Sequence, residues 1–254
     1  MANPTHGWGV AGDTFACLGA LGALGAPTWF RLGDRDLAVH LQRTAWLRGG
    51  APLSRVTARL ARAHGVRTRL LPMTDDRVRT YVSTAAGRLP FQAYLVRDRA
   101  RHRVRRLTFV GARRARPAPG VVEALTRAPL VVIAPSNPLV SIGPMLAIPG
   151  FRRALAARRR PTVAISPLVG GYAVRGPLRR MLHGLGLPPT VVSIATLYRG
   201  LIDTFVLDRR DARAADAVRA LGIRPVVTDT LMTTPGRARR LAAVVLDALD
   251  GAAP

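Results

Sequence analysis

The stretch Leu130-Val-Val-Ile-Ala-Pro-Ser-Asn-Pro138 is an apolar run that ends abruptly in a small, polar, proline-stiffened loop. So short a run bounded by turn residues is the pattern of a strand buried on both faces. Thr162-Val-Ala-Ile-Ser-Pro-Leu-Val-Gly-Gly171 repeats the pattern, and residues 151–158 between them carry helical periodicity. Working outward, helices are expected at 121–127, 178–185, 211–221 and 237–249. Strands are expected at 191–193 and 225–229, with a further short one at 205–207. Short apolar strands alternating with helices imply a parallel, doubly wound sheet. The expected fold class is therefore α/β: a Rossmann-like three-layer sandwich with a mostly parallel sheet, in one domain over residues 1–254.

The first part of the chain reads differently. Asp13 can cap a helix with Leu18, Leu21 and Leu24 on one face, stopped by Gly25-Ala-Pro27. Asp34 would cap a second helix that ends at Gly49-Gly50, and residues 54–64 form a third. From Val66 the texture turns to strand, at 67–73, then 78–84 and 89–96 flanking Ala86-Gly87 as a hairpin, with a short strand at 107–110. Residues 34–110 or so read as a β-hairpin and helical insertion in the α/β frame.

The formal charge of +25 points first to polyanions. All 39 basic residues are arginine, however, and Glu123 is the only glutamate, which is a compositional skew. The arginines are spread along the chain, and aromatic residues make up only 5%, few for base stacking. A solvated basic surface accounts for this better than a nucleic-acid reader. Cys17 stands alone, so no internal disulfide forms, and the chain fits a reducing cytoplasm. The uncharged runs at 14–30 and 129–150 are broken by glycine or proline, so no membrane helix is expected.

Two loops share a position and a chemistry. In an open α/β sheet, ligands sit beyond the carboxyl ends of strands, where small polar residues meet phosphate. Ser136, Asn137 and Ser141 follow the first decisive strand; Ser166, Gly170 and Gly171 follow the second, and paired glycines let a ligand approach the backbone. Against this stands a purely structural reading in which Ser136 and Asn137 cap a turn. Arg31, in Trp29-Phe-Arg-Leu-Gly-Asp34, could bind phosphate or stack on a flat ring, or simply pair with Asp34 or Asp36. No Walker sequence, nucleophile elbow or zinc-type spacing occurs, and the five histidines are scattered. Positioning and charge neutralisation would have to carry any catalysis.

Gly7-Trp-Gly-Val-Ala-Gly-Asp-Thr-Phe15, Trp29-Phe-Arg-Leu-Gly-Asp-Arg-Asp-Leu37, Leu71-Pro-Met-Thr-Asp-Asp76, Arg116-Pro-Ala-Pro119, Pro135-Ser-Asn-Pro-Leu-Val-Ser-Ile-Gly-Pro144 and Ser166-Pro-Leu-Val-Gly-Gly171 occur in this order. Together they resemble the successive signatures of the 2-phospho-L-lactate transferase family of coenzyme F420 biosynthesis, over most of the chain. The resemblance implies transfer of a 2-phospho-L-lactyl or phosphoenolpyruvyl group from its guanosine diphosphate ester to the deazaflavin Fo. F420-0 or dehydro-F420-0 forms and GMP leaves. It implies Mg²⁺, a cytoplasmic homodimer, and small-molecule rather than nucleic-acid or membrane partners. Ser136, Asn137, Ser141, Ser166, Gly170 and Gly171 would line the nucleotide-phosphate crevice, with Arg31 at the Fo site.

The family's Gly-Gly-Thr-Gly-Gly, Asn-Thr-Gly-Asp-Asp and Asp-Leu-Asp-Thr stretches do not occur in these 254 residues. The resemblance therefore assigns neither a catalytic residue nor a metal ligand. Met1-Ala-Asn-Pro4 resembles an interior family segment, and the expectation is that Met1 is an internal methionine of a longer gene. The competing readings are a non-catalytic nucleotide- or deazaflavin-binding protein and an Arg-rich nucleic-acid-binding protein.

Overall fold

A computed structural model describes residues 9–247. The Met1-Ala-Asn-Pro4 stretch, Gly7 and Trp8 of the first signature, and residues 248–249 of the last expected helix lie outside them. In chain order the elements are α1 (Ala16–Ala23), α2 (Asp34–Arg48), α3 (Leu53–Ala63), β1 (Arg79–Thr84), β2 (Gly87–Pro90), β3 (Arg106–Val110), α4 (Val121–Arg127), β4 (Val131–Ile133), α5 (Gly143–Leu146), α6 (Pro149–Ala156), β5 (Thr162–Ile165), β6 (Leu168–Val169), β7 (Tyr172–Ala173), α7 (Leu178–Gly184), α8 (Val191–Leu197), β8 (Thr204–Asp208), α9 (Ala215–Arg219), β9 (Arg224–Thr228) and α10 (Pro235–Asp247).

The expected parallel sheet is present, with order β4-β5-β8-β9 and every neighbouring pair parallel. Alternation along the central strands sorts the core into two layers. Ile133, Ala164, Phe205 and Leu207 face one side, where Leu155 of α6, Leu178, Met181 and Leu182 of α7, Ile194 of α8 and Val218 of α9 cover them. Val163, Ile165 and Val206 face the other side, against Leu241 and Val245 of α10. Helices thus sandwich a sheet whose two middle strands are buried at every position, which is why those strands read as unbroken apolar runs. The short run at 205–207 proves to lie within β8, a central strand.

Asp203 fixes where these strands begin. Its carboxylate accepts from the Thr162 N–H (2.7 Å), its own N–H donates to the Thr162 carbonyl, and its carbonyl accepts from the Arg224 N–H. Arg158 ties the same amino-terminal edge of the sheet. Its guanidinium donates to the carbonyls of Leu125, Ala128, Arg160 and Pro161, and burial lowers its pKa.

The segment read as an insertion forms a three-stranded antiparallel sheet, order β2-β1-β3. Its hairpin turn lies between the Thr84 and Gly87 pair, with the Thr84 hydroxyl accepting from the Ala86 N–H and donating to the Gly87 carbonyl. It does not form a separate core: Val82, Tyr94 and Val104 are fully buried in the cluster that holds Leu178, Met181 and Leu182. Gly184 permits that contact, because a Cβ there would meet the Val104 carbonyl oxygen at 2.6 Å.

Several expectations are corrected. Residues 67–73 are irregular. The strand expected over 89–96 ends at Pro90, which has no N–H to continue a ladder, and residues 93–97 coil instead to bury Ala93 and Tyr94. Residues 191–193 are helical, not extended, because Thr190 acts as N-cap: its hydroxyl accepts from the Ser193 N–H. The two N-terminal caps are exchanged. Asp34 accepts from the Ala16 and Cys17 N–H groups and the Thr14 hydroxyl at the start of α1, while Asp13 accepts from the Arg35 N–H at the start of α2. The Thr14 hydroxyl and the two backbone N–H groups hold the Asp34 carboxyl below its ordinary pKa against a smaller opposing effect of burial. Of the apolar face expected on the first helix, Leu21 and Leu24 stay exposed, Leu24 at 83%, while Leu18 is half-buried.

Candidate functional site

The carboxyl ends of β4, β5 and β9 open into one cleft of about 790 Å³. Three chain segments meet there with a fourth wall from residues 174–178. Pro135, Ser136, Asn137 and Ser141 come from the loop after β4, Ser166 and Pro167 from the loop after β5, and Thr230 to Thr233 from the loop after β9. The volume lies within the roughly 300–1,000 Å³ typical of small-molecule sites. The walls are mainly apolar, and no carboxylate among the described residues lines the cleft.

The sequence-derived residues divide into three groups. Ser136 and Ser141 line the cleft, and neither hydroxyl has a protein partner among the described residues. Asn137 and Ser166 line it too, but their polar atoms are largely used internally. The Asn137 side-chain oxygen accepts from the Leu139 N–H (2.9 Å), capping the turn as the structural reading anticipated, and its amide N–H₂ points at the Met181 sulfur (3.7 Å). The Ser166 hydroxyl is buried, donates to the Leu168 carbonyl and accepts from the Leu168 N–H, closing a tight local turn.

Gly170 and Gly171 do not line the cleft. Their N–H groups, expected to face phosphate, donate instead to the two oxygens of Asp211, at 2.7 and 3.1 Å. Both glycines have positive φ (59° and 76°), so they are needed for a turn that presents adjacent amides to a protein carboxylate. Here the anion that satisfies the amides comes from the chain itself.

Arg31 also lies apart from the cleft. It lines a small cavity of about 50 Å³ with Asp13, Phe15 and Asp36, and its guanidinium sits 4.4 Å above the Phe15 ring. That space is far below what an enclosed heterocycle requires.

Sequence reasoning missed Arg175, which supplies the cleft's cationic side chain, and the whole Thr230–Thr233 wall. The signal for the latter was present, since Asp229-Thr-Leu-Met-Thr-Thr234 is another small polar run at a strand's carboxyl end. It missed Asp208 as well, at the carboxyl end of β8. This carboxylate is 3% exposed and accepts from the Thr230 N–H (3.0 Å), the Thr230 hydroxyl (3.2 Å) and the Arg210 N–H (3.0 Å). Burial pushes its pKa up, but the Thr230 and Arg210 hydrogen bonds together with the Arg210 charge outweigh it, and the pKa lies below the usual value. Asp208 therefore anchors the cleft wall rather than facing a ligand.

No group of three or more His, Cys, Asp or Glu residues among the described residues could hold a metal ion. Mg²⁺ takes hard oxygen ligands, normally including one or two carboxylates. Asp229, which directly precedes the Thr230–Thr233 wall, accepts from the Leu231 N–H and pairs with Arg237, and Asp208 and Asp211 are committed to backbone amides. The residues described do not fit the ion.

A cleft of small-molecule size at the carboxyl ends of a parallel sheet, apolar with a few hydroxyls and one arginine among the described residues that line it, defines an α/β protein with a concavity where such folds take their ligands. The chain belongs to the 2-phospho-L-lactate transferase CofD family, whose profile matches residues 5–246. A phosphoenolpyruvate transferase from Streptomyces griseus is 43% identical over 237 residues, covering 91% of this chain and 74% of that protein. A 2-phospho-L-lactate transferase from Methanosarcina mazei is 36% identical over 241 residues, covering 95% and 79%. Among solved structures, protein BH3568 from Bacillus halodurans, a UPF0052 family member, superposes with a TM-score of 0.60 at 14% identity over 84% of this chain and 72% of that one. That likeness supports the fold.

Proposed function

We propose that this protein acts in F420 biosynthesis, transferring a 2-phospho-L-lactyl or phosphoenolpyruvyl group from its guanosine diphosphate ester to the deazaflavin Fo, with release of GMP. The observation that carries this reading is the single cleft at the ends of β4, β5 and β9 in a chain of the CofD family. Its apolar walls, with Met232 and Val174 exposed at 50% and 59%, suit a nucleobase and ribose. The Ser136 and Ser141 hydroxyls are free to donate to phosphate oxygens, and Arg175 neutralises charge as the guanosine phosphate leaves. No carboxylate of the described residues lines the cleft to repel an anionic donor.

Arg31 remains our assignment for the acceptor contact, through the guanidinium face that Phe15 does not cover. Asn137 and Ser166 act by holding their loops, while Gly170 and Gly171 act through the turn they form on Asp211. We derive no step through Mg²⁺, for which the described residues offer no ligand set. The same reading places the protein in the cytoplasm as a homodimer; no helix among the described residues is long and apolar enough to cross a membrane.

Incubation of the chain with Fo and the guanosine-activated donor, followed by chromatography for GMP and F420-0 or its dehydro form, tests the reading. Stoichiometric GMP binding measured by calorimetry, lost in Ser136→Val, tests the cleft separately. Nucleotide binding with no product would favour the non-catalytic binding reading, which the lack of a cleft carboxylate supports.

A further inference from the structure

A second concavity, an open bowl of about 470 Å³, lies on the other side of residues 174–176 and shares Gly176 with the cleft. Arg99, Arg179 and Arg180 line it together with Leu95, Tyr172 and Pro177. None of these arginines has a carboxylate partner among the described residues, and no acidic side chain lines the bowl. Asp98, next to Arg99 in the chain, is already taken by Arg97. Three like charges converging on one concavity repel each other unless an anion joins them.

The bowl is also built. Arg179, itself exposed, lies over the exposed Tyr172 ring at 4.5 Å, a contact that favours one orientation of the guanidinium. Arg99 and Ala100 are the only non-glycine residues with positive φ among the described residues, both at 51°. That conformation is unfavourable for side chains bearing a Cβ and persists only where surroundings impose it. Here the Ala100 N–H donates to the Tyr94 carbonyl (2.8 Å), the Arg101 N–H donates to the Asp98 carbonyl (3.1 Å), and Ala100 is buried. The strained turn places Arg99 in the same lining as the α7 arginines.

The geometry points to a second anion site, in which Arg99, Arg179 and Arg180 bind the phosphate groups of a small phosphorylated ligand. Planar guanidinium forks suit this chemistry, because each can offer two parallel N–H donors to one phosphate. The assignment stands independently of the transfer reaction proposed for the cleft. Its ligand class is a diphosphate or phosphate ester rather than a nucleic acid, since a bowl of about 470 Å³ is of small-molecule size.

Calorimetric titration of the full chain with inorganic pyrophosphate, at roughly physiological salt to screen diffuse charge, tests the proposal. Saturable binding is expected, and Arg179→Gln with Arg180→Gln should weaken it by about tenfold or more, with Arg99→Gln acting in the same direction. The pair Arg152→Gln with Arg153→Gln removes the same charge from exposed positions on α6 and should change affinity by less than about twofold. With the cleft saturated by GMP, pyrophosphate binding to the bowl should persist and still be weakened by Arg179→Gln with Arg180→Gln, so failure of the bowl and failure of the cleft show in different measurements. Absence of saturable binding, equal weakening by the α6 pair, or undiminished binding in both folded bowl variants would overturn it.

Discussion

Asp208 is the residue whose removal should be felt furthest from its own position. In Asp208→Ala the Thr230 N–H and hydroxyl lose their acceptor in a residue only 5% exposed, while the Arg210 N–H belongs to an exposed residue and can turn to water. Each polar group stranded out of water costs about 1–3 kcal/mol, so two give a loss of roughly 2–6 kcal/mol. That is a large share of the roughly 5–15 kcal/mol by which domains are stable. Urea unfolding followed by far-UV circular dichroism should show the midpoint falling by about 1 M or more at unchanged slope. Asp208→Asn keeps the size and one acceptor and should lose less.

The pH dependence follows from the lowered pKa. Its stabilisation is fully present above the unfolded-state value of about 3.9 and disappears as pH falls through the lower folded-state value. The wild-type advantage over Asp208→Asn should therefore be constant from about pH 5 upward and shrink below about pH 4. Because Thr230 begins a wall of the cleft, GMP affinity should fall with the midpoint. An Asp208→Ala midpoint within about 0.2 M of wild type would refute the reasoning, since it would mean the Thr230 groups find water or other partners.

The remaining predictions concern the N-terminal helices, a turn and the cleft. Asp13→Ala and Asp34→Ala each remove a cap from the other's helix, so each should destabilise by about 0.5–2 kcal/mol, and a double-mutant cycle should show coupling. Gly111→Ala should lower stability by more than about 1 kcal/mol, because φ is 89° and the new Cβ would lie 2.3 Å from the Arg77 carbonyl oxygen, as thermal unfolding can establish. GMP binding by this chain should be unchanged by EDTA, since no His, Cys, Asp or Glu of the described residues lines the cleft; a calorimetric loss of affinity with EDTA would contradict that.

What was legible followed from patterns that local geometry enforces. A parallel strand covered on both faces must be apolar at every position, so the runs ending at Ile133 and Ile165 declared themselves. Their loops could be placed at one end of the sheet because parallel strands point the same way, and Ser136 and Ser166 do share a cleft. Where one residue overrode a pattern, the reading failed. Pro90 ended a ladder, and the Thr190 cap turned the apolar stretch 191–193 into a helix.

Sequence by itself determined the layered α/β fold and the strand ends at which a ligand site could form, because burial on both faces and strand polarity are written in runs of a few residues. Only the tertiary structure decided which polar atoms were left for a ligand. Gly170 and Gly171 look like phosphate amides until Asp211, 41 and 40 residues further on, is seen to occupy them, and Ser166 looks available until its hydroxyl closes on Leu168. A hydrogen-bonding group serves one partner at a time, and which partner arrives depends on contacts between residues far apart in the chain.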